Sequence, residues 1–144
     1  MRAVQNTMHS LDQLSAKGVC LTAHPLEGAT VVIVTGELDA CNIDLLTDFT
    51  RSCLASCRSL ILDLSHLDFL GAQGIRSLHM IAQDCERKEV HWAVVPSRPV
   101  SRLLRICDEH GQVPSVSSID EALEHFSGLA STARGLLQLV SKPS

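Results

Sequence analysis

The stretch Ser59-Leu-Ile-Leu-Asp-Leu64, followed by Ser65 to Leu70 and then by Gly71-Ala-Gln-Gly-Ile-Arg-Ser-Leu-His-Met-Ile-Ala-Gln-Asp-Cys85, decides the fold class. Its first six residues are a short apolar run of the kind that forms a central strand buried on both faces. The run ends at Ser65, which leads into a loop. From Gly71 the period changes: Ile75, Leu78, Ala82 and Cys85 recur every three or four residues and collect on one face of a helix. Arg76, His79, Gln83 and Glu86 then point away from the core. A buried strand feeding an amphipathic helix is the repeating unit of an α/β domain.

Working outward, Val19-Cys-Leu-Thr-Ala23 and Thr30-Val-Val-Ile-Val-Thr35 are β-type runs, with Pro25 and Gly28 marking a turn over His24 to Gly28. Leu46, Phe49, Cys53 and Cys57 predict a helix over residues 40–57. Val90 to Val95 reads as another strand. Pro99 suits the first turn of the next helix, with Val100, Leu103, Leu104 and Cys107 inward and Gly111 as its C-cap. After an extended stretch at 113–117, Ser118-Ile-Asp-Glu121 fits a capping box opening a last helix from Ile119 through Phe126. The order predicts an α/β single domain: a mixed central β-sheet with crossover helices packed on it. Residues 1–18 read as a flexible N-terminal extension, 19–126 as the domain. Residues 127–144 continue the helix or form a loose tail, and the pattern leaves both open.

Composition limits the function. The 144 residues carry 12 Lys and Arg against 16 Asp and Glu, a formal net charge of -4, and 45% hydrophobic residues. Nothing resembles a phosphate-backbone binder, and with no Tyr and a single Trp, stacking on nucleic acid is disfavoured. No apolar run approaches the ~20 residues of a membrane span. Polar Gln5, Asn6, His9, Ser10 and Asp12 stand where a signal peptide is apolar, so a cytoplasmic location is expected. The six cysteines show no C-x-x-C pair and read as reduced core thiols. Cys107 and His110 lack a second pair to complete a metal site. No phosphate-binding Gly-x-x-x-x-Gly-Lys loop and no nucleophile–base motif is present, so neither enzyme activity nor a cofactor is expected.

Several segments, in order, resemble the STAS family, the domain shared by bacterial anti-sigma factor antagonists and the cytoplasmic ends of sulfate transporters. They are Val34-Thr-Gly-Glu-Leu-Asp39, Leu60-Ile-Leu-Asp-Leu-Ser65 with Leu67-Asp-Phe-Leu70, Val100-Ser-Arg-Leu-Leu-Arg-Ile-Cys107, and Ser118-Ile-Asp-Glu-Ala-Leu123. The likeness covers about 19–126 and implies a STAS-like fold. Without an attached membrane segment it implies an anti-sigma factor antagonist: a protein that binds an anti-sigma factor, often itself a serine kinase, and so frees a sigma factor. The departure lies before the second helix, where the family carries Asp-Ser-Ser-Gly or Asp-Ser-Thr-Gly and phosphorylates the first hydroxyl. Here Gly71-Ala-Gln-Gly74 places Ala72, which has no hydroxyl, at the acceptor position.

Two strand ends are the expected partner-binding surface: Gly36, Glu37, Leu38 and Asp39, and Gly71, Ala72, Gln73, Gly74 and Arg76. Asp39 also reads as the N-cap of the first helix, and the roles are compatible. Gly74→Arg is expected to weaken binding and spare the fold. With no hydroxyl at 72, an alternative is a STAS scaffold or redox-sensing module with another partner, with Cys85 and Cys107 as the candidate thiols if exposed enough to ionise.

Overall fold

The computed structural model describes residues 13–129. Three strands open the chain: β1 (Gln13–Ala16), β2 (Val19–Leu26) and β3 (Ala29–Leu38). Then follow α1 (Ile43–Leu54), β4 (Ser59–Leu64), β5 (Leu67–Leu70), α2 (Ala72–Arg87), β6 (His91–Pro96) and α3 (Arg98–Cys107). Residues 119–129 form α4. The sheet runs β1-β2-β3-β4-β6, with β5 beside the far end of β3. The β1–β2 and β2–β3 pairs are antiparallel and the rest parallel, which makes the sheet mixed as expected.

Side-chain alternation along the strands separates two apolar layers. Leu60, Leu62 and Leu64 of β4, with Val32 and Val34 of β3, face Leu46, Phe49, Ile75, Leu78, Ile81, Val100 and Leu104 of α1, α2 and α3. Ile61 of β4, with Ala29, Val31, Ala93 and Val95, faces Ala122 and Phe126 of α4. Three helices thus cover one face of the sheet and α4 the other, which is why Leu60, Ile61, Leu62 and Leu64 are all fully buried.

The sheet begins earlier than expected. Gln13–Ala16, inside the segment read as a polar extension, pairs with β2 through the Lys17–Gly18 turn. Positive φ at Lys17 (52°) and Gly18 (83°) gives the two-residue connection whose twist matches an antiparallel pair. The β2–β3 turn is likewise shorter than His24–Gly28: only Glu27 and Gly28 lie outside the strands, and Pro25 is paired within β2. Leu67–Leu70, read as part of a loop, is the strand β5. Two caps also differ. Asp108, not Gly111, is the C-cap of α3. Ser118 Oγ accepts from the Glu121 N–H at 3.0 Å, but the Glu121 carboxylate takes the N–H of Ser117, so the capping box is only half reciprocal. No helix among the described residues is long and apolar enough to cross a membrane.

Candidate functional site

Pairing of β5 with β3 brings together two segments that lie 32 residues apart in the chain. Glu37 pairs with Phe69 and Leu38 with Leu70, and the Gly71 N–H then donates to the Leu38 carbonyl at 3.0 Å. The end of β3 and the start of α2 therefore form one edge. On this edge Glu37, Asp39, Ala72, Gln73 and Arg76 are exposed, and Phe69 keeps 49% of its surface open.

The edge is shaped by a residue that the sequence reading missed. Asn42 is 2% exposed. Its amide donates to the carbonyls of Lys17 (2.9 Å) and Glu37 (2.8 Å), and its Oδ1 accepts from the Asp39 N–H at 2.9 Å. One side chain thus ties the β1–β2 turn, the end of β3 and the entry to α1 together. Asn42 is also the N-cap of α1, in place of Asp39. The Asp39 side chain instead accepts from the Cys41 N–H at 2.9 Å, holding the turn before the helix and leaving the carboxylate at the surface. The available signal was an Asn immediately before the first periodic apolar residue.

Glycines in the two segments serve different purposes. Gly36 has φ of 102°, and a Cβ there would lie 2.3 Å from the Gly18 carbonyl oxygen, so the β1–β2 turn approaches β3 only because position 36 lacks one. Gly74 is buried, and a Cβ would lie 2.0 Å from Leu70 Cδ1. Gly74→Arg is therefore a core substitution and not a surface probe, contrary to the expectation above. Gly71 has extended backbone and ordinary contacts beyond 3.5 Å for an added Cβ, so its geometry accepts other residues. Of the nine expected contact positions, Leu38 and Gly74 are buried and offer no side chain to a partner.

Helix α2 presents Ala72, Gln73, Arg76 and Met80 outward. Its N-cap Gly71 provides no side-chain bond, and its first turn carries no acid. The hydroxyl of Ser77, one turn further on, is buried and sits 3.3 Å from Thr47 Oγ1. Two carboxylates lock α2 to its neighbours. Asp84, 3% exposed, accepts from Arg51 Nε of α1 at 2.9 Å and from Arg87. Burial pushes its carboxyl up, but the two guanidiniums together outweigh burial and hold the pKa below the usual range. Asp108, at the end of α3, bonds His79 of α2 at 3.0 Å and accepts from the N–H groups of Gln112 and Val113. Burial raises it too, and those bonds bring its pKa below the usual value.

The two candidate thiols are placed oppositely. Cys85 is 1% exposed, and burial pushes its thiol up to about 12, so it is protonated and shielded; it fails the exposure condition for a redox site. Cys107 is exposed rather than on the apolar face of α3. Among the described residues no group of three or more His, Cys, Asp or Glu is placed to hold a metal ion.

A family model described as STAS domain matches residues 21–122. Osmosensory protein A of Mycobacterium tuberculosis is 34% identical over 119 residues, covering 79% of this chain and 75% of that protein. The crystal structure of an anti-sigma factor antagonist from Mycobacterium paratuberculosis superposes with a TM-score of 0.69 at 26% identity, covering 78% of this chain and 97% of that one. The anti-sigma factor antagonist SpoIIAA in its unphosphorylated form shares the fold, with a TM-score of 0.62 at 14% identity over 75% of this chain and 96% of its own.

Proposed function

The chain belongs to the STAS domain family, and from that premise we propose that it is an anti-sigma factor antagonist: it binds an anti-sigma factor and so frees a sigma factor for transcription. The observation that carries the reading is the joined edge of β3 and α2, where Glu37, Asp39, Phe69, Ala72, Gln73 and Arg76 lie exposed side by side. The likeness to the antagonist from Mycobacterium paratuberculosis supports it. Binding, not catalysis, is the activity, and no cofactor is required.

Phosphate does not switch this surface at position 72. Ala72 has no acceptor oxygen. A phosphate of about -1.5 to -2 charges at a helix N-terminus would otherwise stand in the middle of the edge and disrupt a docked partner. Ser77 does not replace it, because its hydroxyl is buried against Thr47. Nor does oxidation of Cys85, given its burial.

The test begins with capture of partners from the source cell by the tagged chain, identified by mass spectrometry, followed by calorimetric titration of the recovered anti-sigma factor. Asp39→Lys and Arg76→Glu are expected to weaken binding at least tenfold with unchanged circular dichroism. Recovery of only metabolic or membrane proteins defeats the reading, and unchanged affinity in both variants defeats the surface. With a kinase-type partner and ATP, intact mass is expected to show no phosphate in 71–77. The triple variant Gly71→Asp, Ala72→Ser, Gln73→Ser is expected to gain one and to release the complex.

A further inference from the structure

Helix α3 carries three arginines in ten residues, Arg98, Arg102 and Arg105, and no acid to pair with them. Their i, i+4, i+7 spacing puts them on one face of the helix, and all three are exposed. None of their side chains has an ion pair or hydrogen bond among the described residues. The acids that follow, Asp108 and Glu109, lie beyond the helix, and Asp108 is held by His79. Arg98 stands in the first turn, where the helix dipole favours an acid, so the stripe is kept against local electrostatics. Ile106, 68% exposed, lies beside it. On the other face of the sheet, α4 shows the opposite sign: Asp120, Glu121 and Glu124 are exposed, and residues 119–129 contain no Lys or Arg. The Glu121 carboxylate is taken by Ser117, which leaves Asp120 and Glu124, again four apart, without a partner among the described residues.

We propose that a second copy of this chain docks across these two faces, the arginine stripe of α3 in one copy lying against Asp120 and Glu124 of α4 in the next. The charges are complementary and so is their spacing. Arg98 to Arg102 and Asp120 to Glu124 each span four residues, about 6 Å along a helix axis, so both pairs form together when the two helices lie side by side. The chain as a whole is acidic, with a net charge of -4, which disfavours a nucleic acid or an anionic membrane as the occupant. An acidic protein face remains, and α4 supplies one. Because α3 packs on one face of the sheet and α4 on the other, two chains cannot satisfy both contacts between themselves. Association therefore runs head to tail and adds chains beyond two. Exposed ion pairs hold it, so it is weak and falls with salt. None of these residues belongs to the partner edge, and the proposal stands without the anti-sigma factor reading.

Analytical ultracentrifugation of the full chain tests this, at concentrations up to about 1 mM, where weak contacts populate. The salt is varied from about 0.02 M to about 0.5 M, over which the screening length falls from about 20 Å to about 4 Å. At low salt the weight-average mass is expected to rise with concentration past that of two chains, and at high salt to return to that of one. Backbone amide resonances are expected to shift with concentration in both 98–106 and 119–124. Arg102→Glu and Glu124→Arg, both at exposed positions, are each expected to weaken association at least about threefold with unchanged melting temperature. Mixed in equal amounts at low salt, the two variants are expected to regain the parent's mass, since the intact faces pair with each other and the reversed faces do likewise. A chain that stays monomeric at about 1 mM and low salt overturns the proposal. So does a mass that stops at two chains, association that neither salt nor either variant alters, or a mixture of the variants that stays monomeric.

Discussion

The two ends of the strands are built by different kinds of contact. At the end of β3 and β5 the surface is fixed from beneath by main-chain groups: Asn42 ties three backbone segments, Gly71 bonds Leu38, and Gly36 lets the β1–β2 turn approach. Where β6 starts, the contacts are between side chains: His91 stacks on Phe126 of α4 on one face of the sheet, and Trp92 packs against the other apolar layer. The first kind of construction tolerates exchange of what it displays. The side chains at 71 and 72 do not hold the edge: Gly71 makes no side-chain cap bond and would meet only ordinary contacts with a Cβ, and Ala72 is exposed.

Removing the tie beneath the edge should have the largest effect on stability. Asn42→Leu strands the carbonyls of Lys17 and Glu37 and the N–H of Asp39, and is expected to cost about 2 kcal/mol from several unmet, partly buried groups. Urea denaturation measures it; a loss under about 1 kcal/mol would mean that water satisfies these groups and the tie is dispensable. Next is Gly74→Val, whose new methyls collide with Leu70 in a closed core, at about 2 kcal/mol by overpacking. A neutral result would show that Leu70 has room to move and that α2 is not pinned to β5.

A smaller effect is expected from Asp84→Asn, about 1 kcal/mol, since Arg51 and Arg87 are themselves exposed and screened by solvent. Its pH dependence sharpens the point. The folded pKa values of Asp84 and Asp108 lie below their unfolded values. Each therefore adds stability that is present above the ordinary carboxylate pKa near 4 and is lost as pH falls through the lowered folded value. Midpoints measured from about pH 5 downward should fall less steeply in Asp84→Asn than in the parent. Equal slopes would show that the carboxylate has no net ionic role. The smallest stability change belongs to the displayed residues: Arg76→Glu should change stability by less than about 0.5 kcal/mol while changing partner affinity. A large loss would place Arg76 within the supporting layer after all.

Much of this construction was legible in the residues, and the rest was not for identifiable reasons. Periodicity located β4 and the start of α2 to the residue, because a strand covered on both faces must be continuously apolar and a helix covered on one must repeat at 3.6. β1 was missed because an edge strand needs only main-chain partners and carries no such pattern. β5 was missed because four residues are too few for any period to show. Capping at Asp39 was misread because the helix starts only after a turn that Asp39 holds through the Cys41 N–H, and the residue at the cap, Asn42, spends its side chain on distant main-chain groups instead of the helix amides. Cys107 was assigned to the apolar face because a helix pattern does not reveal where the neighbouring layer ends.

By itself, then, the sequence determined the α/β class, the two-sided burial of β4, the family resemblance and the absence of an acceptor oxygen at 72, all properties of residue type and local spacing. Only tertiary structure decided that Asn42 supports the partner edge, that Gly74 belongs to the core, that Cys85 is shielded, and that α3 and α4 cover opposite faces of the sheet. Those outcomes depend on which segments become neighbours, and that is set by strand pairing and layer packing between residues far apart in the chain.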